Sequence, residues 1–304
     1  MKIDLFDFGS MLREPEMPPK PLPSDLVQKR SGREVASGNE LKVLKAIRLF
    51  GHLRLQELGR AVWPKYAYAG QMAARTLKRL ELKEEVLRRK NSLASSSFVL
   101  SSKGARRLES LGLPCRHGRD IVGVAGATFF HRTLASRYLI EEQVLGKEVF
   151  GEYAIAHNLA PATREHLAKT FGKLPDGLVI YKCKTNTGNP ILLADWLEVE
   201  QAAKPLDEIK KVVRIAQKCG SWLDAGQKVK LFRLVVLFDQ SQNHGTRLLK
   251  AATEVWFGSD ERSRDDIESR IVLARADVIF PLQWRKFEFV TLKDFRAHHI
   301  SKNN

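Results

Sequence analysis

Two acidic stretches stand out by residue type and spacing. Lys173-Leu174-Pro175-Asp176-Gly177 leads into the apolar run 178–181, and the run 192–197 leads into Glu198-Val199-Glu200. Both read as strands of one hairpin. Strand side chains alternate faces, so Glu198 and Glu200 share one face while Leu197 and Val199 take the other. Pairing of the strands brings Asp176 toward the acidic face. Carboxylates gathered inside a protein repel one another unless a positive charge sits between them. Hard oxygen donors of this kind suit Mg²⁺ or Mn²⁺. The competing expectation makes Asp176 a strand-start turn residue and leaves Glu198 and Glu200 in solvent at a sheet edge. Ala194 and Trp196 share their face, which predicts at least partial cover.

The elements that must hold these residues are legible around them. Residues 128–145 form an amphipathic helix with Phe130, Leu134, Tyr138 and Val144 near one stripe. Residues 149–155 read as a short strand carrying Glu152. Pro205 opens a helix over 206–219, with Asp207 and Glu208 at its positive end and Lys204 and Lys211 as nearby bases. Residues 230–239 form a buried strand, 246–257 a helix, and 271–280 and 287–292 late strands. The order α, β, β, β, α, β, α, β, β describes a mixed α/β domain over 128–295. Residues 113–127 read as a linker and 296–304 as a frayed basic tail.

Charge points to the partner. The chain of 304 residues carries a formal net charge of +16. Residues 1–120 hold 24 Lys and Arg against 13 Asp and Glu, so most of the excess lies there. Such an imbalance destabilises a compact protein by self-repulsion and commonly marks a polyanionic partner. Within residues 39–112 the periodicity gives a helix around 41–49, a short helix over 56–61 and a third over 69–82. A basic hairpin over 85–90 and 97–100 follows, then a helix over 103–111. On the third helix Gln71, Arg75, Lys78 and Arg79 face outward, and Arg88, Arg89 and Lys90 lie on the hairpin.

Other classes are poorly served. Cys115, Cys183 and Cys219 are scattered, without metal-binding spacing, as expected of reduced thiols in a cytoplasmic protein. No apolar run approaches membrane-spanning length. Phosphate-cradling glycine loops, a nucleophile elbow and a His-x-His pair are all missing. Residues 1–38 hold five prolines and read as an extended arm. Its tip, residues 3–8, is apolar enough to dock on a protein partner or on the body of the protein itself.

Residues 39–112 resemble the winged helix-turn-helix domains of bacterial DNA-binding proteins. In these the third helix enters the major groove and the wing touches backbone. That implies double-stranded DNA contacts by Gln71, Arg75, Lys78, Arg79, Arg88, Arg89 and Lys90. Glu152, Pro175-Asp176 and Glu198-Val199-Glu200, followed by a Lys-containing helix, resemble the restriction-endonuclease-like PD-(D/E)XK nucleases. Glu200 stands where that superfamily usually has lysine. Taken together, residues 39–295 resemble the replication-relaxation family, which includes MobC-type plasmid mobilisation relaxases. The resemblance implies metal-assisted phosphodiester hydrolysis. Glu152, Asp176 and Glu198 would ligate Mg²⁺ or Mn²⁺, while Glu200 or Lys204 would orient or deprotonate water. The alternative is a non-enzymatic origin-binding or regulatory protein whose second domain recruits partners or dimerises.

Overall fold

The computed structural model describes residues 31–90, 95–118, 124, 126–184, 188–201, 204–239, 244–256, 260–279 and 283–303. It is a mixed α/β structure with two sheets. The apolar tip at residues 3–8 lies outside the described residues.

The first part begins with α1 (Gly32–Phe50), whose start is a capping box: Ser31 accepts from the Glu34 amide and Glu34 accepts from the Ser31 amide. Helix therefore begins six residues before the end expected for the arm, because the cap overrides a composition rich in small and charged residues. After β1 (Leu53–Arg54) come α2 (Leu55–Val62) and α3 (Ala69–Leu82). A hairpin of β2 (Val86–Lys90) and β3 (Ser96–Leu100) follows, with β1 on the far side of β3. Residues 102–109 form the closing helix α4 (Ser102–Glu109). The third helix has the limits its periodicity predicts, because one continuous apolar stripe packs against both other helices.

The second part is a six-stranded sheet in the order β4-β5-β6-β7-β8-β9. The strands are β4 (Glu148–Gly151), β5 (Gly177–Lys184), β6 (Pro190–Glu200), β7 (Val229–Asp239), β8 (Ile271–Ile279) and β9 (Gln283–Thr291). The first three form an antiparallel meander. α8 (Leu206–Ala216) then carries the chain over so that β7 lies parallel to β6, and β8 is again parallel. α5 (Gly126–Val144) covers one face. α6 (Glu152–Ala156), α7 (Arg164–Phe171), α8 and α9 (His244–Val255) cover the other.

Both faces are dry. Trp196 and Leu234 are fully buried on the α8 side, Leu197 and Val235 on the α5 side. Burial of each such side chain contributes roughly 1.5–3 kcal/mol. The α5-side core is continuous with that of α1–α4, so the two parts share one hydrophobic cluster through Leu44, Phe50, Leu139 and Val179. Among the described residues no helix is long and apolar enough to cross a membrane.

Three expectations are corrected. Glu152 is not in a strand: β4 stops at Gly151 and Glu152 begins α6. The stretch expected to be a frayed tail is helical through Asn303, in α11 (Leu292–Asn303), and its Arg296 pairs with Asp265 and Glu268 of α10 (Glu261–Ser269). Glu198 and Glu200 do not face solvent at an edge, because β6 is interior to the sheet and its face is covered.

Candidate functional site

The acidic residues meet where the end of β6 passes the start of β5. Register pairs Gly177 with Leu197. The Asp176 amide donates to the Leu197 carbonyl at 3.0 Å, and the Val199 amide donates back to Asp176 Oδ2 at 2.8 Å. The Pro-Asp-Gly corner is thereby stitched to the Glu-Val-Glu strand end. Glycine at 177 lets a side chain of α5 come close: a Cβ there would lie 2.8 Å from a terminal methyl of Leu139. That contact sets α5 directly over the corner and places His131 Nε2 3.0 Å from Asp176 Oδ1. The Glu152 amide donates to the Asp176 carbonyl at 3.0 Å, bringing the first turn of α6 alongside.

Each carboxylate has its own base. Glu198, 1 % exposed, accepts from Trp196 Nε1 at 2.6 Å and from Lys173 Nζ. Glu200, 3 % exposed, accepts from Lys204 Nζ at 2.9 Å. Glu152 pairs with Arg132 at 3.1 Å. His131, Arg132, Glu152 and Asp176 line a pit of about 10 Å³ walled by Phe50 and Leu139, room for about one water molecule.

The electrostatics divide the two central carboxyls. Burial opposes ionisation of Asp176, but His131 and the Val199 amide outweigh it and hold its pKa below the usual range. Burial, reinforced by the Asp176 charge, pushes Glu198 up to about 7 despite Lys173 and Trp196. Two neighbouring carboxyls with separated proton affinities are suited to different roles. Burial lowers the His131 pKa, but Asp176 more than offsets it and the net shift is upward. Lys204 is likewise raised: Glu200, with Glu198 and Asp176 beyond it, outweighs desolvation and keeps the amine charged.

Asp176, Glu198, Glu200 and Lys204 are therefore brought together, with Glu152 at their rim. Asp176 and Glu198 are neighbouring carboxylates of the hard-donor type, and each of their four oxygens also meets a protein donor: His131 and the Val199 amide on Asp176, Trp196 and Lys173 on Glu198. Among the described residues no set of three His, Cys, Asp or Glu side chains forms a ready metal cage. Lys211 does not join the site, since its amine is held by Glu208 at 2.6 Å on an exposed turn of α8.

On the first part, Gln71, Arg75 and Lys78 are exposed along α3, and Arg89 and Lys90 on β2. Arg79 is a correction to the expected outward face. Its guanidinium turns to the buried Glu40 at 3.2 Å, which Lys83 and Arg107 also hold. Arg88 is exposed but anchored, with two 2.9 Å bonds to Glu81 and its guanidinium over the Phe98 ring.

Sequence reasoning missed His131 and Lys173. Lys173 lies three residues before Asp176, a usable signal. His131 has none, because its partner is 45 positions away. Compared with family models, curated proteins and solved structures, the chain matches none.

Proposed function

We propose that the protein binds double-stranded DNA through residues 39–112 and hydrolyses a phosphodiester at the Asp176–Glu198 corner, as a nickase-like protein of plasmid or mobile-element mobilisation or replication. Three helices followed by a basic hairpin support the winged-helix reading. The antiparallel meander β4-β5-β6, the crossover by α8 and the parallel β7 support the nuclease-like one.

The observation that carries the proposal is the Glu200–Lys204 contact at 2.9 Å. The superfamily's lysine is absent at position 200, and this contact returns an ammonium to that place from four residues on. Asp176 and Glu198, with Glu152 beside them, would hold Mg²⁺ or Mn²⁺, which lowers the pKa of a bound water and neutralises charge on the phosphate. Lys204, kept protonated by Glu200, stabilises the developing negative charge. Burial holds the Glu198 carboxyl up to about 7, so the cation's charge is what would keep it ionised as a ligand, and Glu200 would orient the water. On the other part, Arg75 and Gln71 reach base edges while Lys78, Arg89 and Lys90 hold phosphates.

Nicking of supercoiled plasmid in Mg²⁺ or Mn²⁺ tests the assignment. Asp176→Ala is expected to lower the rate at least about 100-fold with DNA affinity unchanged. Equal nicking by this variant would sink the site. Lys78→Ala is expected to weaken binding and to reduce the slope of log K against log salt by about one contact.

A second reading is favoured by a different fact: all four carboxylates are already charge-compensated by the protein's own bases. It makes the corner a stable binding element of a non-enzymatic origin-binding or regulatory protein. Specific DNA binding without cleavage by the wild type would select it.

A further inference from the structure

The loop between α2 and α3 holds out two aromatic side chains that the core does not use. Tyr66 is 61 % exposed and Tyr68 is 69 % exposed. The chain has five tyrosines, and Tyr138, Tyr153 and Tyr181 all lie inside the second part. Exposed aromatics of this size, paired and next to a basic surface, mark a contact site more often than a lone exposed apolar residue does.

The loop that carries them is firmly built. Trp63, 3 % exposed, anchors its start, and Arg60 Nη1 donates to the Pro64 carbonyl at 3.0 Å. The Tyr66 amide bonds to the Trp63 carbonyl at 3.2 Å, and the Ala69 amide to the Tyr66 carbonyl at 3.2 Å. Glycine at 59 lets α2 approach the start of α3, where a Cβ would be 3.2 Å from the Ala69 backbone. The rings are thus presented from a backbone that loses little freedom on binding. Tyr68 is the residue that caps α3, so both rings stand at the leading end of the helix bearing Gln71, Arg75 and Lys78.

We infer that Tyr66 and Tyr68 form a stacking platform for unpaired bases, so that the preferred ligand is a duplex opened beside the α3 site rather than a continuous one. The inference rests on the DNA-binding reading above. Its reason is chemical: an aromatic face stacks on a base only where that base has left its own stack, and such contacts are strong and indifferent to sequence. Lys65, exposed and next to Tyr66 in the chain, adds positive charge for the adjoining phosphates.

The test measures binding of the full-length protein to two labelled DNAs of equal length, one fully paired and one with a short unpaired bubble, across a salt series. The wild type is expected to favour the bubble. Tyr66→Ala with Tyr68→Ala is expected to lose about fivefold affinity or more per tyrosine on the bubble, little on the paired duplex, and none of the salt slope. Tyr66→Phe with Tyr68→Phe retains the rings and is expected to keep the preference. An unchanged bubble affinity in the alanine variant, with normal binding by the wild type, overturns the platform alone. Wild-type protein that binds neither DNA overturns the DNA-binding reading and the platform with it. A thermal melt of each variant separates lost contact from lost fold.

Discussion

β6 carries buried acids on both faces, and the two faces treat them differently. On the α5 side Asp195 is fully buried. Its partners stand on the neighbouring strands: Tyr181 of β5 donates at 3.0 Å and Arg233 of β7, its register partner, at 2.8 Å. On the other side Glu198 and Glu200 take their ammonium partners from irregular segments, Lys173 before β5 and Lys204 before α8. An ion pair fixed by sheet register is part of the scaffold. One supplied by loops can be exchanged for a ligand, which is what a working site needs.

The largest expected effect breaks the scaffold side. Arg233→Ala leaves the Asp195 charge buried without its cation and is expected to cost about 3 kcal/mol, read from the urea unfolding midpoint. DNA affinity should be unchanged. A loss below about 1 kcal/mol would erase the contrast between the faces.

An effect of up to similar size is expected from pH. Glu198 in the folded state holds its proton up to about 7, whereas an unfolded glutamate releases it near 4.3. Between those values the native state binds more protons, so stability falls as pH rises through that window. Below the window the carboxyl is protonated in both states, and above it the cost is constant. Glu198→Gln removes the titration. The wild type should lose up to about 3 kcal/mol relative to this variant between pH 4.5 and 7. Parallel stability curves for the two proteins would show that Glu198 titrates normally.

The smallest stability effect should be at Lys204, whose side chain is 38 % exposed. Lys204→Ala leaves the buried Glu200 without its cation but near a partly water-accessible position, and is expected to cost about 1–2 kcal/mol, less than Arg233→Ala. Plasmid nicking should nevertheless fall at least about tenfold, since among the described residues Lys204 supplies the ammonium placed on Glu200. A variant that nicks normally would remove Lys204 from the chemistry while leaving the rest of the corner intact.

Much of the organisation was legible in the residues. Strand alternation put Glu198 and Glu200 on one face, and all six strands of the second sheet were recognisable from apolar runs. The short helices α6, α7 and α10 were not, although α2 and α4 are as short: a segment of this length gives periodicity enough only where a strong apolar stripe and clear breakers frame it. Arg79 was misread because an amphipathic pattern marks it as polar without saying whether its charge meets water or a buried acid. Its partner, Glu40, lies 39 positions earlier on another helix.

The sequence by itself therefore determined what local backbone geometry controls: the limits of α3, the shared face of Glu198 and Glu200, the basic balance of the first part and the Pro-Asp-Gly strand start. Only the tertiary structure decided which base meets which acid. His131 reaches Asp176, Lys173 reaches Glu198, and the covered interior position of β6 raises the proton affinity of Glu198. Periodicity is a property of neighbouring residues, whereas desolvation and ion pairing depend on segments that only packing brings together.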